Sequence, residues 1–202
     1  MQINIVLFPN FETLDVFGPI EIFGKADGCK ISYYSLEGGI VGNGDGIRID
    51  TVLIDEIDFS DEATVLFIPG GLGTRIEVAN IDLISRLQYI AQKSTYVLTV
   101  CTGSALLAKA GILDGRKATS NKLSLEWVKT NSDKVDWIEK ARWVVDGKYY
   151  TSSGVSAGID MALGFIADIF GYDSAIKIAK RIEYIWQEDK DIDLFTSINN
   201  KE

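Results

Sequence analysis

The chain has 202 residues, 47% of them hydrophobic, and a formal net charge of −9 at pH 7. This length and hydrophobic content predict an α/β domain with a sizeable core. The acidic balance, without any basic cluster, argues against nucleic acid or an anionic membrane as a partner. Two cysteines give neither a disulfide framework nor a metal spacing. This cysteine usage fits a reducing cytoplasm, which is where we expect the protein. The first residues show no signal-peptide pattern, and no apolar run approaches the length of a membrane span.

The chain contains no histidine. This excludes Cys-His and Ser-His catalytic pairs and histidine metal sites, unless a partner chain supplies the imidazole. The glycine clusters match no dinucleotide fingerprint, and no Walker sequence is present. We therefore expect neither a metal nor a cofactor.

Strand and helix patterns alternate along the chain. The predicted strands cover residues 3–8, 31–36, 47–54, 64–68, 96–100, 117–120, 142–145 and 148–152. The predicted helices cover residues 14–23, 81–92, a stretch from 103, then 123–130, 155–170 and about 175–186. Alternating elements predict a mostly parallel sheet with helices on both faces.

Local signals refine this prediction. Pro19 predicts a kink or an early break in the first helix. Asp146-Gly147 predicts a hairpin between the last two strands. The polar tail from about residue 188 is expected to fray. Since no linker or repeat divides the chain, we expect one domain over residues 1–202.

Cys101 lies where a buried strand ends and a helix begins. A side chain at such a turn projects past the sheet, and the start of the helix favours negative charge beside it. These conditions predict a nucleophilic thiolate with a lowered pKa. The alternative is a buried structural cysteine, a common fate for this residue.

Three predicted strands end in segments that could carry chemistry, because ligands bind outside the carboxyl ends of parallel strands. These segments are Phe8-Pro9, Pro69-Gly70-Gly71 and Cys101-Thr102. Gly70 and Gly71 can bring backbone N–H groups close to a reacting atom. Together with the N–H of Thr102, they predict an anion hole that binds substrate.

Several motifs together resemble the ThiJ/PfpI family, over nearly the whole chain. They are Leu-Asp-Val-Phe-Gly-Pro-Ile-Glu at 14–21, Ile-Pro-Gly-Gly at 68–71, Cys-Thr-Gly-Ser at 101–104, Gly-Arg-Lys-Ala-Thr at 115–119 and Ser-Ser-Gly-Val-Ser-Ala-Gly-Ile-Asp at 152–160. The resemblance implies a flavodoxin-like three-layer sandwich, a small-molecule substrate and a homodimer. Within the family, the first and third motifs are most similar to isonitrile hydratases.

The resemblance implies that Cys101, Thr102 and Asp15 form the catalytic group. Cys101 would add to the isonitrile carbon, and water would resolve the thioimidate to a formamide, with Asp15 as general acid and base. The alternatives are a solvated or capping Asp15 and a Thr102 that only caps its helix. Glu21 reaches the site or pairs with a lysine, and Cys29 belongs to the core.

Two other functions remain open. The same pattern occurs in ligand-binding halves of some transcription regulators, so the chain could be a redox- or ligand-sensing module with a reactive cysteine. An amidase or peptidase is the weaker alternative, because relatives with those activities carry a triad histidine. Many close relatives also have a histidine where this chain has Ser120-Asn121-Lys122.

Overall fold

The computed structural model describes residues 1–60 and 63–196. Its strands are Gln2–Val6 (β1), Lys30–Ser35 (β2), Gly39–Gly42 (β3), Arg48–Leu53 (β4), Thr64–Ile68 (β5), Tyr96–Val100 (β6), Lys117–Ala118 (β7), Asp136–Trp137 (β8), Trp143–Asp146 (β9) and Tyr149–Ser152 (β10). Its α-helices are Thr13–Phe23 (α1), Thr74–Glu77 (α2), Ile81–Lys93 (α3), Gly103–Lys109 (α4), Leu125–Lys129 (α5), Ala157–Phe170 (α6) and Tyr172–Arg181 (α7).

An eight-stranded sheet in the order β3-β4-β2-β1-β5-β6-β10-β9 forms the middle layer. Its six inner strands run parallel, and β3 and β9 pair antiparallel at the two edges. The β9–β10 pairing confirms the predicted hairpin. β1 lies between β2 and β5, so the chain direction across the sheet reverses there, which is where open α/β sheets bind ligands.

Helices cover both faces of the sheet. α1, α6 and α7 pack together, whereas α3 and α4 pack on each other. All five residues of β5 are buried, as expected for a parallel strand covered on both sides. The predicted mostly parallel α/β sandwich is thereby confirmed. No helix in the described ranges is long and apolar enough to span a membrane.

Four local predictions were wrong or incomplete. α1 continues through Pro19 to Phe23 without a break. β3, α2 and β8 were not predicted. α7 ends at Arg181, and the chain turns away at Glu183, whose φ is 54°. Residues 188–196 are held by hydrogen bonds, including Asp193 N–H to Lys140 O at 2.7 Å, so this part of the tail is not frayed. Residues 197–202 lie outside the described residues.

Candidate active site

Cys101 occupies a tight turn between β6 and α4. Its φ is 57°, a left-handed conformation that non-glycine residues rarely adopt. Its N–H donates to the carbonyls of Ser152 and Ser153 at 3.1 and 3.2 Å. Its carbonyl accepts from Ser104 Oγ at 3.0 Å and Ser120 Oγ at 2.8 Å. The backbone of the predicted nucleophile is thus fixed from both sides, as expected where a strained residue is retained.

Asp15 is carried to the same place by α1. α1 lies close against α6, since a Cβ on Gly18 would be only 2.7 Å from Ile159 Cγ1. The Asp15 carboxyl is fully buried, and its Oδ2 accepts from the Gly70 N–H at 2.9 Å. Among the described residues, Oδ1 has no hydrogen-bond partner. Asp15 is therefore neither a solvated carboxylate nor a helix cap.

Burial raises the pKa of Asp15 well above its ordinary value. The Gly70 N–H opposes this shift, while the negative charge of Glu12, at the start of α1, adds to it. A weaker interaction with the Cys101 thiol lowers the pKa of Asp15. The balance favours a carboxyl that keeps its proton to higher pH than an exposed aspartate does.

The pKa of the Cys101 thiol is also raised well above its ordinary value. Burial is the largest cause, and the charge of Asp15 is the second. Hydrogen bonds from the Thr102 N–H and hydroxyl lower the pKa but do not compensate. The lowered pKa predicted from the sequence is therefore wrong, because burial and the charge of Asp15 outweigh the hydrogen bonds at the start of α4. Cys101 and Asp15 are coupled, because each of them is among the causes of the other's pKa shift.

Thr102 connects the Cys101 turn to the loop after β5. Its Oγ1 accepts from the Gly71 N–H at 3.0 Å and lies 3.0 Å from Thr74 Oγ1. It makes no side-chain cap for α4, which removes the capping interpretation. In this loop the Gly71 N–H serves Thr102, and the Gly70 N–H serves Asp15. The sequence predicted that these two N–H groups would be free to bind a substrate anion. In the structure both are occupied, because they donate to the side chains of Asp15 and Thr102 and so position them.

Gly70 is needed at its position because three site groups converge on it. A Cβ there would lie 2.6 Å from Thr102 N, 2.8 Å from Asp15 Oδ2 and 2.8 Å from Cys101 Cβ. Such distances are shorter than van der Waals contact. The structure thus brings together all five residues predicted for the site, with Gly70 and Gly71 in positioning roles.

Known proteins resemble this chain over most of its length. Residues 1–168 match the model of the DJ-1/PfpI family. The chain belongs to the DJ-1/PfpI family. This confirms the resemblance predicted from the motifs.

Two proteins that are similar to this chain are enzymes. An isonitrile hydratase of Pseudomonas putida is 28% identical over 186 residues, which cover 91% of this chain and 78% of that protein. A deglycase of Thermococcus kodakarensis is 29% identical over 153 residues, covering 75% of this chain and 89% of that protein. The DJ-1/PfpI family therefore includes enzymes of more than one activity.

Solved structures share the fold. A ThiJ/PfpI family protein from Pseudomonas syringae superimposes with a TM-score of 0.78 at 28% identity, covering 91% of this chain and 74% of that chain. DJ-1beta of Drosophila melanogaster gives a TM-score of 0.79 at 21% identity, covering 92% and 98%. The predicted flavodoxin-like sandwich agrees with these neighbours.

A cleft of about 440 Å³ opens beside Cys101 of this DJ-1/PfpI chain. Its walls are mainly apolar, with backbone and a few polar groups between them. They are formed by Leu14, Asn121, Lys122, Leu123, Ser153, Gly154, Val155, Ser156 and Phe195. Cys101, with 7% of its surface exposed, lies behind Asn121 and Gly154. A Cβ on Gly154 would overlap Asn121 Nδ2 and come within 3.1 Å of Cys101 Sγ.

Three site residues were not assigned a role from the sequence. Glu12 acts on Asp15 by charge, Ser120 holds the Cys101 carbonyl, and Asn121 lines the cleft. The only sequence signal was that Ser120 and Asn121 stand where many relatives have a histidine. Glu21 pairs with Lys25 at 3.1 Å, and Cys29 is half-buried against the core, as the simpler interpretations predicted.

Proposed function

We propose that this protein hydrates an isonitrile to an N-substituted formamide. The observation that carries the proposal is the buried Cys101–Asp15 pair, whose side chains converge on Gly70 and whose pKa values are both raised by burial, in a chain without histidine. Isonitrile hydration needs one nucleophile and one proton that can be delivered and recovered. This pair meets that need without a third titratable residue.

In the first half-reaction, Cys101 Sγ bonds to the terminal isonitrile carbon. The proton held by the pair passes through the Asp15 carboxyl to the same carbon, so that the product is a thioimidate, R–N=CH–S–Cys101. Asp15 is left ionised. The Thr102 N–H and hydroxyl, which lower the pKa of the thiol, stabilise the sulfur as it becomes thiolate-like.

In the second half-reaction, water adds its oxygen to the thioimidate carbon. Ionised Asp15 takes a proton from the water and passes it to the nitrogen, giving R–NH–CH(OH)–S–Cys101. The C–S bond then breaks, and the hydroxyl proton returns to the Cys101–Asp15 pair as the formamide leaves. The sum is one isonitrile plus one water, and the pair ends as it began.

The shape of the cleft supports this substrate class. Glycine at position 154 keeps side-chain atoms away from Cys101 Sγ, because even a Cβ there would overlap Asn121 Nδ2. An isonitrile presents a linear two-atom head, which needs little room beside the sulfur. The apolar walls from Leu14, Leu123, Val155 and Phe195 suit an apolar substituent behind that head.

The test is turnover of benzyl isonitrile, with the formyl proton of the product followed by NMR. We expect formamide from the wild-type protein, a loss of about 10²–10⁴-fold in kcat/KM for Asp15→Asn, and no turnover for Cys101→Ala. Cys29→Ala is the matched control, because Cys29 is half-buried away from the site, and it should keep wild-type activity.

Other outcomes identify the alternatives. Formamide at equal rates from wild type and Cys101→Ala would contradict the mechanism. No formamide, with hydrolysis of a peptide amide instead, would indicate an amidase. No formamide, with selective oxidation of Cys101 by peroxide, would indicate a sensor, although the raised thiol pKa disfavours that chemistry.

A further inference from the structure

Asn121 presents an amide N–H₂ group to the reaction site. Its Oδ1 accepts a hydrogen bond from the Ser124 N–H at 3.1 Å. Because a backbone N–H can only donate, the atom it meets must be the oxygen, and this fixes the amide orientation. Nδ2 consequently faces the other way, against Gly154 and beside Cys101 Sγ.

This amide nitrogen is free to bind something else. Among the residues that the structure describes, none accepts a hydrogen bond from Asn121 Nδ2, and Asn121 lines the cleft. The Gly70 and Gly71 N–H groups, in contrast, are used on Asp15 and Thr102. Asn121 is therefore a donor near the nucleophile that the protein itself leaves unsatisfied.

We propose that Asn121 Nδ2 donates a hydrogen bond to the nitrogen of the Cys101-bound thioimidate and so promotes attack by water. This inference rests on the proposed function and assigns a residue to its second half-reaction. Addition of water to a C=N bond moves electron density onto nitrogen, and a donor placed there stabilises the developing charge.

The chemistry of the two half-reactions separates the role of Asn121 from those of Cys101 and Asp15. The nitrogen of an isonitrile has no free electron pair, since that pair is part of the triple bond. The nitrogen of the thioimidate has one. Asn121 thus has an acceptor only after the C–S bond has formed, and its loss should slow hydrolysis while leaving the addition step intact.

The variant that tests this is Asn121→Ser. Serine caps a helical turn about as well as asparagine, so the Ser124 N–H keeps a partner. Its hydroxyl is too short to reach the position of Nδ2, so the donor is lost. Asn131→Ser is the matched control, because the Asn131 amide donates only to Trp127 and Val128 carbonyls on the same segment.

The experiment combines turnover with intact-protein mass spectrometry during reaction with benzyl isonitrile. Asn121→Ser should lower kcat by about 10²-fold and accumulate a covalent adduct at Cys101 whose mass equals one added isonitrile. Asn131→Ser should keep the wild-type kcat and accumulate no adduct.

The outcomes are distinguishable. If Asn121→Ser keeps its kcat within twofold of wild type, or loses adduct and formamide together, the assignment of Asn121 is overturned while the proposed function stands. If wild type itself gives neither adduct nor formamide, the proposed function fails, and the assignment of Asn121 fails with it.

Discussion

At the scale of single residues, the catalytic role proposed for Asp15 conflicts with the stability of the folded protein. An aspartate in an unfolded chain has a pKa of about 3.9, and burial raises the pKa of Asp15 in the folded protein. Below the unfolded pKa, both states bind the proton, so Asp15 does not make the free energy of unfolding depend on pH. As the pH rises above it, the unfolded state releases its proton first, so the folded state is progressively destabilised until the pH passes the folded pKa.

Replacing Asp15 by asparagine should therefore stabilise the protein at neutral pH. The amide oxygen can still accept from the Gly70 N–H, and the titration is removed. We expect Tm to rise at pH 7, by roughly 2–4 °C for each kcal/mol recovered, and the gain to vanish near pH 4. Thermal denaturation from pH 4 to 8 measures this, with the exposed Asp133→Asn as control. A lower Tm at pH 7 would contradict the raised pKa.

The sequence predicted which side chains meet at the site but not their electrostatics. Cys101 and the glycines after β5 were placed by one rule, that parallel strands end at the same edge of a sheet. Asp15 was assigned through the resemblance. The pKa of Cys101 was predicted in the wrong direction, because burial depends on several elements distant in sequence, whereas the helix start is visible locally.

At the scale of elements, a buried carboxylate adds to the backbone hydrogen bonds that hold the segment 188–196. Asp193 Oδ1 lies 3.7 Å from Arg142 Nη1, and Asp193 Oδ2 lies 4.0 Å from Lys122 Nζ. Burial lowers the pKa of Lys122 to about 8, and the charge of Asp193 opposes that shift. This arrangement places Phe195 in the wall of the cleft.

Asp193→Asn should release this segment. Removing the charge of Asp193 takes from Lys122 its buried counter-charge, whereas Arg142 keeps its pair with Asp160, and the expected loss of stability is on the order of 3 kcal/mol. Proteolysis within residues 188–196 should accelerate, and the KM for benzyl isonitrile should rise with kcat unchanged, because Phe195 contributes only binding. Asp191→Asn, which removes an exposed pair with Lys190, is the matched control with almost no effect. Unchanged proteolysis would refute the role of Asp193.

The sequence did not predict that α7 ends at Arg181, and the contacts of residues 182–187 show why. The apolar residues Ile182, Ile185 and Trp186 continue a helical pattern, so the sequence favoured a longer helix. In the structure, Tyr184 Oη and Gln187 N instead donate to Asp160 Oδ1, and Ile185 is 93% exposed. Asp160 lies one element earlier and is itself paired with Arg142. Polar contacts between residues distant in the sequence produce no hydrophobic periodicity, so sequence patterns do not reveal them.

At the scale of the whole molecule, the order of strands and helices was the most predictable property. Buried parallel strands are continuous apolar runs, and β5 and β6 are readable on that basis alone. Edge strands cannot be recognised in this way, because they are not continuous apolar runs. β3 contains two glycines and two exposed residues, so its pairing with β4 depends on backbone hydrogen bonds rather than on a buried face.

The homodimer remains a prediction, and the structure shows which apolar residues of α1 are exposed and could form its interface. Val16, Ile22 and Phe23 of α1 are buried inside the protomer, whereas Leu14 and Phe17, one turn apart, are each 39% exposed. In a two-fold dimer the same patch meets its own copy, so these two residues would pack across the axis.

Phe17→Glu should therefore convert a dimer to a monomer, because like charges would face each other across a formerly apolar contact. Light scattering behind size exclusion at micromolar concentration measures the mass. Ile81→Glu is the matched control, since Ile81 is 81% exposed at the start of α3, in the helix layer that does not contain α1. It should leave the dimer intact. A monomeric wild type, or equal dissociation by both substitutions, would rule out α1 as the interface.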